Sequence, residues 1–253
     1  MSPSPVPLPP VIGHRGAAAS APENTLAALR RAAHLGCRWV ECDVRLTADD
    51  EPILLHDAWL GRTTDGHGRV AALSLAAIRC HDAGSWFGPA FAGERVPTLA
   101  EALALLGALG LGAVIELKAE HGRARRTGAR VAATIARAWP SFLPPPIVSS
   151  FWPQALLGAR EAAPELARGL LLRTVPKNWR TIAAWLGCAT IHADHRFLHP
   201  AIVAEIRRYG YSVLAYTVND AVRARFLFDW GVSAVFSDLP ERVLAAAGTA
   251  QDR

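Results

Sequence analysis

The sequence is short of several things, and each shortage removes a class of protein. Of its 27 basic residues only Lys118 and Lys177 are lysines, and no basic run is interleaved with aromatics, so nucleic acid is a poor candidate partner. The four cysteines, Cys37, Cys42, Cys80 and Cys188, show no Cys-x-x-Cys spacing and no disulfide framework. They are expected to be small buried apolar residues in a reducing compartment. No apolar run approaches the ~20 residues needed to span a bilayer. The opening MSPSPVPLPP has neither a charged region nor an apolar core and does not read as a signal peptide. A soluble, cytoplasmic protein without stable membrane insertion is the expectation.

What is present is a well-buried chain of 253 residues, 51% hydrophobic, long enough for one large core. Its formal charge of +5 could attract an anionic substrate, although a plain bias toward Ala and Arg explains it as well. The informative stretch is Trp39 to Asp57, WVECDVRLTADDEPILLHD. Glu41 and Asp43 stand two apart in an apolar run, so on a strand they project from one face. Alone, a Glu-x-Asp is the solvated side of a half-buried strand, but these flanks look buried on both faces. Two buried carboxylates that close raise each other's pKa unless something positive lies between them, commonly a divalent cation. A second apolar run, Pro52 to Leu55, then delivers His56 and Asp57.

Strand-like and helical runs alternate along the chain. The strands are expected at Val11 to Gly13, Trp39 onward, Ala113 to Lys118, Ile147 to Ser150, Gly169 to Leu172, Thr190 to Ala193, Ser212 to Val218 and Ala234 to Ser237. Helices are expected at Glu23 to Leu35, Thr98 to Leu109 with Thr98 and Glu101 as a capping box, Arg123 to Ala138, Ala201 to Tyr209 and Asp220 to Trp230. About eight strand–helix units predict a (β/α)8 TIM barrel over residues 11–247, behind a proline-rich tail, residues 1–10. The turn-rich segment 58–97 reads as a small insertion after the second strand. A doubly wound sheet is the rival, but it usually has fewer strands and a glycine-rich nucleotide turn, absent here.

In such a barrel chemistry sits at the C-terminal ends of the strands, and His14, Glu41, Asp43, His56, Glu116 and Lys118 all fall there. Glu116 can complete an oxygen site with Glu41 and Asp43, which suits one divalent ion, Mg2+ or Ca2+, better than zinc. Arg15 and Lys118 then face a cation-bound anion such as phosphate. Lys118 could equally be a structural partner for Glu116. His14 and His56 can serve as the acid and base of phosphodiester cleavage.

The sequence resembles the glycerophosphodiester phosphodiesterases of the short bacterial type. It carries the family's motifs in order: His14-Arg15-Gly16, Pro22-Glu23-Asn24-Thr25, Glu41-x-Asp43-Val44, His56-Asp57, Arg62-Thr63-Thr64 with Gly66-x-Gly68, Glu116-x-Lys118, Ser149-Ser150-Phe151, Tyr216-Thr217-Val218-Asn219 and Ser237-Asp238-x-Pro240. The resemblance implies a TIM barrel with an insertion, Glu41, Asp43 and Glu116 as ligands of one divalent metal, and His14 and His56 as general acid and base. It implies Arg15 and Lys118 as phosphate contacts, and hydrolysis of small glycerophosphodiesters to sn-glycerol 3-phosphate and an alcohol. The family often has Trp where this chain has Tyr216, which keeps a ring to pack on the glycerol. Asn24 is expected both to support the first histidine and to start a helix, Glu23 to cap it.

Two other readings compete. Phospholipase-D-like cleavage of lysophospholipids would need an apolar approach surface, which Trp59, Leu60, Trp86, Phe87 and Phe91 of the insertion could supply. A ligand-binding barrel that has lost activity should lack a motif residue, and none is missing.

Overall fold

The run around Glu41 forms β2 (Trp39–Leu46), buried along almost its whole length, as expected of a strand covered on both faces. The structure, a computed structural model, describes residues 6–247; residues 1–5 of the tail lie outside it. In chain order, β1 (Val11–Gly13), α1 (Leu26–His34) and β2 are followed by β3 (Pro52–Leu54), α2 (Leu75–Ile78), α3 (Leu99–Leu109) and β4 (Gly112–Leu117). Then come α4 (Ala124–Ala138), β5 (Ile147–Ser150), α5 (Pro153–Ala162), β6 (Ala167–Leu172), α6 (Trp179–Leu186) and β7 (Thr190–Asp194). The chain closes with α7 (Pro200–Arg208), β8 (Ser212–Tyr216), α8 (Ala221–Asp229), β9 (Ala234–Ser237) and α9 (Pro240–Ala247).

The strand order is β1-β9-β8-β7-β6-β5-β4-β2-β3, with β1 also paired to β2. Paired to both β9 and β2, β1 completes a closed ring of eight parallel strands, a (β/α)8 barrel. An open doubly wound sheet is thereby excluded. β3 is the exception, running antiparallel to β2 from Leu46↔Pro52 to Val44↔Leu54. It turns the chain back toward the barrel mouth and opens the insertion, whose own apolar cluster includes Ile53, Leu55, Leu60, Val70, Ile78 and Val96.

The helices begin where local chemistry allows. Thr25 caps α1 by accepting from Ala28 N, and Thr98 and Glu101 form the expected capping box on α3. The larger core cluster fills the space between strands and helices. A second joins Ile12, Trp39, Val114, Ile147, Leu214 and Phe236, residues that alternate in step with Glu41 and so fill the barrel's lower interior. Val6 and Leu8 of the tail pack against it from below.

Three expectations need correction. α1 starts at Leu26, not Glu23, because Thr25 can cap and Asn24 is held at φ 58° by another task. Cys80 is exposed rather than buried; it lies just past α2, and its thiol donates to the carbonyl of Ala76. Leu60 is fully buried in the insertion's cluster, so it offers nothing to an apolar approach surface.

Candidate active site

The barrel's register assembles the carboxylates. Asp43 on β2 stands opposite Glu116 on β4, and Glu41 lies two residues back on the same face. An oxygen from each of the three can lie within 4.8 Å of the others, and all three residues are buried. Glu41 Oε1, Asp43 Oδ1 and Glu116 Oε1 have no hydrogen-bond partner. Lys118 Nζ is 2.5 Å from Glu116 Oε1 and 3.2 Å from Asp43 Oδ1, an ion pair in distance without hydrogen-bond alignment. The two readings of Lys118, phosphate contact and ion-pair partner of Glu116, thus meet in one position.

Charge is distributed unevenly among them. Burial and the neighbouring Asp43 push Glu41 up to about 8. Glu116 is raised for the same reasons. Burial would raise Asp43 too, but Lys118 and Arg15 outweigh it and hold Asp43 below the usual carboxylate range. Buried oxygens with unused lone pairs and a carboxyl forced to keep its proton fit an all-oxygen divalent-cation site.

The turn after β1 is built around this cluster. Arg15 takes φ 51°, a left-handed conformation uncommon outside glycine, and its backbone N–H donates to Glu41 Oε2 at 3.0 Å. Gly16 follows at φ +88°, where a Cβ would meet the backbone of Ala28 at 2.6 Å, so no larger residue fits. Arg15 Nε lies 3.2 Å from Asp43 Oδ2, and its Nη1 donates to Glu23.

Each histidine has its own carboxylate. His14 Nδ1 is 2.6 Å from Asp238 Oδ1, and its Nε2 is 3.8 Å from Glu41 Oε2. Burial would depress His14, but the Asp238 hydrogen bond and the Glu41 charge outweigh it and raise its pKa. His56 Nδ1 is 2.6 Å from Asp57 Oδ1. Its pKa is lowered, first by burial and then by Arg15 and Lys118, which prevail over Asp43 and Asp57.

Asn24 supports Asp43 rather than the first histidine. Asn24 braces Asp43 from both sides: its Nδ2 donates to Oδ2 at 2.8 Å and its Oδ1 accepts from the Asp43 N–H at 3.0 Å. Glu23 does not cap a helix but receives Arg15 and, bidentately, Arg62. Arg62 also reaches Asp57, so one network ties the turn after β1 to the His56 loop. Tyr216 lines the cavity, its hydroxyl donating to Leu172 O at 2.9 Å and its ring edge-to-face with Phe151.

The cavity over these groups measures about 510 Å3. Its wall also includes Leu171, His192, Asp194 and Arg196, which sequence reasoning gave no role, and Ser149, which it gave only as part of a motif. Asp238 was quoted only as part of a motif. Its neighbour Ser237 pairs with Gly13 across the closing β1–β9 seam, a contact 224 residues apart in sequence that spacing alone does not reveal.

A sequence model of the glycerophosphoryl diester phosphodiesterase family matches residues 14–242. The chain belongs to that family. It is an enzyme of the phosphodiesterase class. A glycerophosphodiester phosphodiesterase of Caldanaerobacter subterraneus is 33% identical over 92% of this chain and 96% of its own length. Another, from Bacillus subtilis, is 31% identical over 91% of this chain and 83% of that one. Among solved structures, an Oleispira antarctica phosphodiesterase in complex with the product sn-glycerol-3-phosphate superimposes with a TM-score of 0.92 at 41% identity, covering 95% of this chain and 97% of that one. Of the residues in the motifs quoted above, His14, Arg15, Glu41, His56, Glu116 and Lys118 line this cavity together.

Proposed function

We propose that this barrel, one domain over residues 11–247, hydrolyses glycerophosphodiesters to sn-glycerol 3-phosphate and an alcohol, with one divalent cation, Mg2+ or Ca2+, held by Glu41, Asp43 and Glu116. One observation carries the reading: three buried carboxylates with unused oxygens, flanked by two histidines shifted in opposite directions. The product bound in the Oleispira antarctica relative supports the substrate class. A bound cation would polarise the phosphoryl oxygens and lower the pKa of an oxygen nucleophile beside it.

The chain's own groups divide the remaining work. Arg15 and Lys118 gather the phosphate and offset its charge. His56, whose lowered pKa favours its neutral form, takes the proton of the glycerol 2-hydroxyl as that oxygen attacks phosphorus and closes a cyclic phosphate. His14, whose raised pKa favours its protonated form, gives a proton to the departing alcohol oxygen as the P–O bond breaks. Water then opens the cyclic phosphate to sn-glycerol 3-phosphate as His56 returns the proton. Asp238 and Asp57 fix the two rings through Nδ1, leaving each Nε2 toward the substrate. Tyr216 walls the glycerol side, and Glu23 and Asn24 hold Arg15 and Asp43 in place. Unpaired, mostly buried cysteines support a reducing, cytoplasmic setting; no described helix is long and apolar enough to cross a membrane.

The test is release of glycerol 3-phosphate from glycerophosphocholine by purified protein. Activity that disappears with EDTA and returns with Mg2+ or Ca2+ is expected. Full turnover in excess EDTA would overturn the metal assignment, and no release under any condition would overturn the substrate class.

A further inference from the structure

His14, Arg15 and Thr217 belong to two openings at once. They line the main cavity, and they also line a groove of about 550 Å3 on its other side. That groove runs out between the turn after β1 and the insertion, past Ala18, Ala19, Glu23, Arg62, Trp86 and Phe87, and is bounded by Asn219 and Asp238. A phosphodiester has two arms on one phosphorus. With the phosphoryl group at Arg15, one arm enters the cavity and the other the groove.

Resting on the phosphodiesterase reading above, we propose that the groove is the subsite of the leaving alcohol, that Trp86 and Phe87 determine which alcohol is accepted, and that it favours a cationic headgroup of the quaternary ammonium type. The assignment of arms follows from which groups border which opening. Glu41, Glu116 and His56 line the cavity and not the groove, so the arm whose hydroxyl is activated beside the carboxylates lies in the cavity. His14 borders both, as a group must that protonates the alcohol leaving on the other side. The cavity is walled by barrel strands, a fixed surface suited to the glycerol that every substrate shares. The groove is walled by loop and insertion.

The charge preference follows from who is already paired. Arg62 makes four hydrogen bonds to the carboxylates of Asp57 and Glu23, and Arg15 is engaged by Glu23 and Asp43. An anionic alcohol would therefore meet guanidinium charge already offset by carboxylates. A cation would find the ring of Trp86, 41% exposed, and the outer edge of Asp238, 29% exposed, an arrangement that binds quaternary ammonium groups. The aromatic wall is held rigidly. Trp86 Nε1 donates to Ala83 O at 3.0 Å and the ring meets Phe87 edge-to-face at 5.6 Å. Asp82 gathers the backbone N–H groups of Gly84, Ser85 and Gly93 beneath it.

Trp86→Ala and Trp86→Phe, assayed against glycerophosphocholine and glycerophosphoglycerol, test this. Trp86 stands outside the insertion's apolar cluster, so both variants are expected to match the parent's circular dichroism and melting. The expected result is a KM for glycerophosphocholine raised about fivefold by Trp86→Ala, in line with loss of one cation–π contact at a partly exposed ring. The glycerol-headed diester should change less than about threefold, and Trp86→Phe should recover most of the loss. Equal losses on both substrates, or none on either, would overturn the groove assignment while leaving the phosphodiesterase reading intact. No glycerol 3-phosphate from either diester with the parent enzyme would overturn both.

Discussion

With His14 as the general acid proposed above, Asp238 sets its protonation, and with it the alkaline edge of activity. Its carboxylate, 2.6 Å from Nδ1, is the main force raising the His14 pKa against burial. Asp238→Asn keeps the shape and removes the charge, so the His14 pKa falls. An acid that loses its proton earlier stops working earlier, and the alkaline limb of the pH–kcat profile should move to lower pH. Turnover above neutral pH should drop about tenfold or more, since a placed general acid contributes at least that much. An unchanged alkaline limb would mean that another group donates the proton. At this scale the sequence was legible where the clustered side chains lay on strands or beside them: that Glu41, Asp43, Glu116 and Lys118 come together followed from a period of two. It misled where a residue acts through another. Glu23 and Asn24 looked like a helix start because carboxylates and amides favour caps, yet the chain uses them to hold Arg15, Arg62 and Asp43.

The elements were the most readable part, because each buried parallel strand is a short apolar run and each helix shows caps or a stripe. What the pattern does not show is how closely two helices meet. α4 and α5 approach through Gly128 and Gly158, where an added Cβ would lie 1.8 Å from Ala155 O and 1.9 Å from Arg125 O, respectively. Both obstacles are backbone, so neither side can yield without moving a helix. Gly128→Ala gains helix propensity, about 1 kcal/mol, but overpacking a closed contact costs more, typically 1–3 kcal/mol, and a backbone clash belongs at or above the upper end. Denaturant unfolding should therefore show a net loss of about 2 kcal/mol or more. Gly88→Ala is the control: nothing lies within 4 Å of its added Cβ, and stability should stay within about 0.5 kcal/mol. Equal stability of Gly128→Ala and the parent would show that the two helices can separate freely.

At the scale of the whole molecule, the eight-unit count predicts closure, and closure joins β1 to β9 and so His14 to Asp238. The carboxylate cluster opposes that closure electrically. Glu41 titrates at about 8 in the folded barrel and near 4.3 when exposed, so folding takes up a proton between those values. The sign follows: its contribution to stability is full below about pH 4, declines as pH rises, and is exhausted above about pH 8. A cation bound by Glu41, Asp43 and Glu116 must displace that proton below pH 8 and displaces none above it. Apparent cation affinity should rise by up to about tenfold per pH unit from 6 to 8 and then level off. At fixed Mg2+ or Ca2+ the rise in melting temperature should grow over the same interval, because stabilisation follows ligand concentration over Kd. Thermal melts at pH 6, 7, 8 and 9, with and without the cation, measure it directly. In Glu41→Gln the shift should be small and flat with pH. A pH-independent shift in the parent protein would show that the cation, if it binds, does so without Glu41.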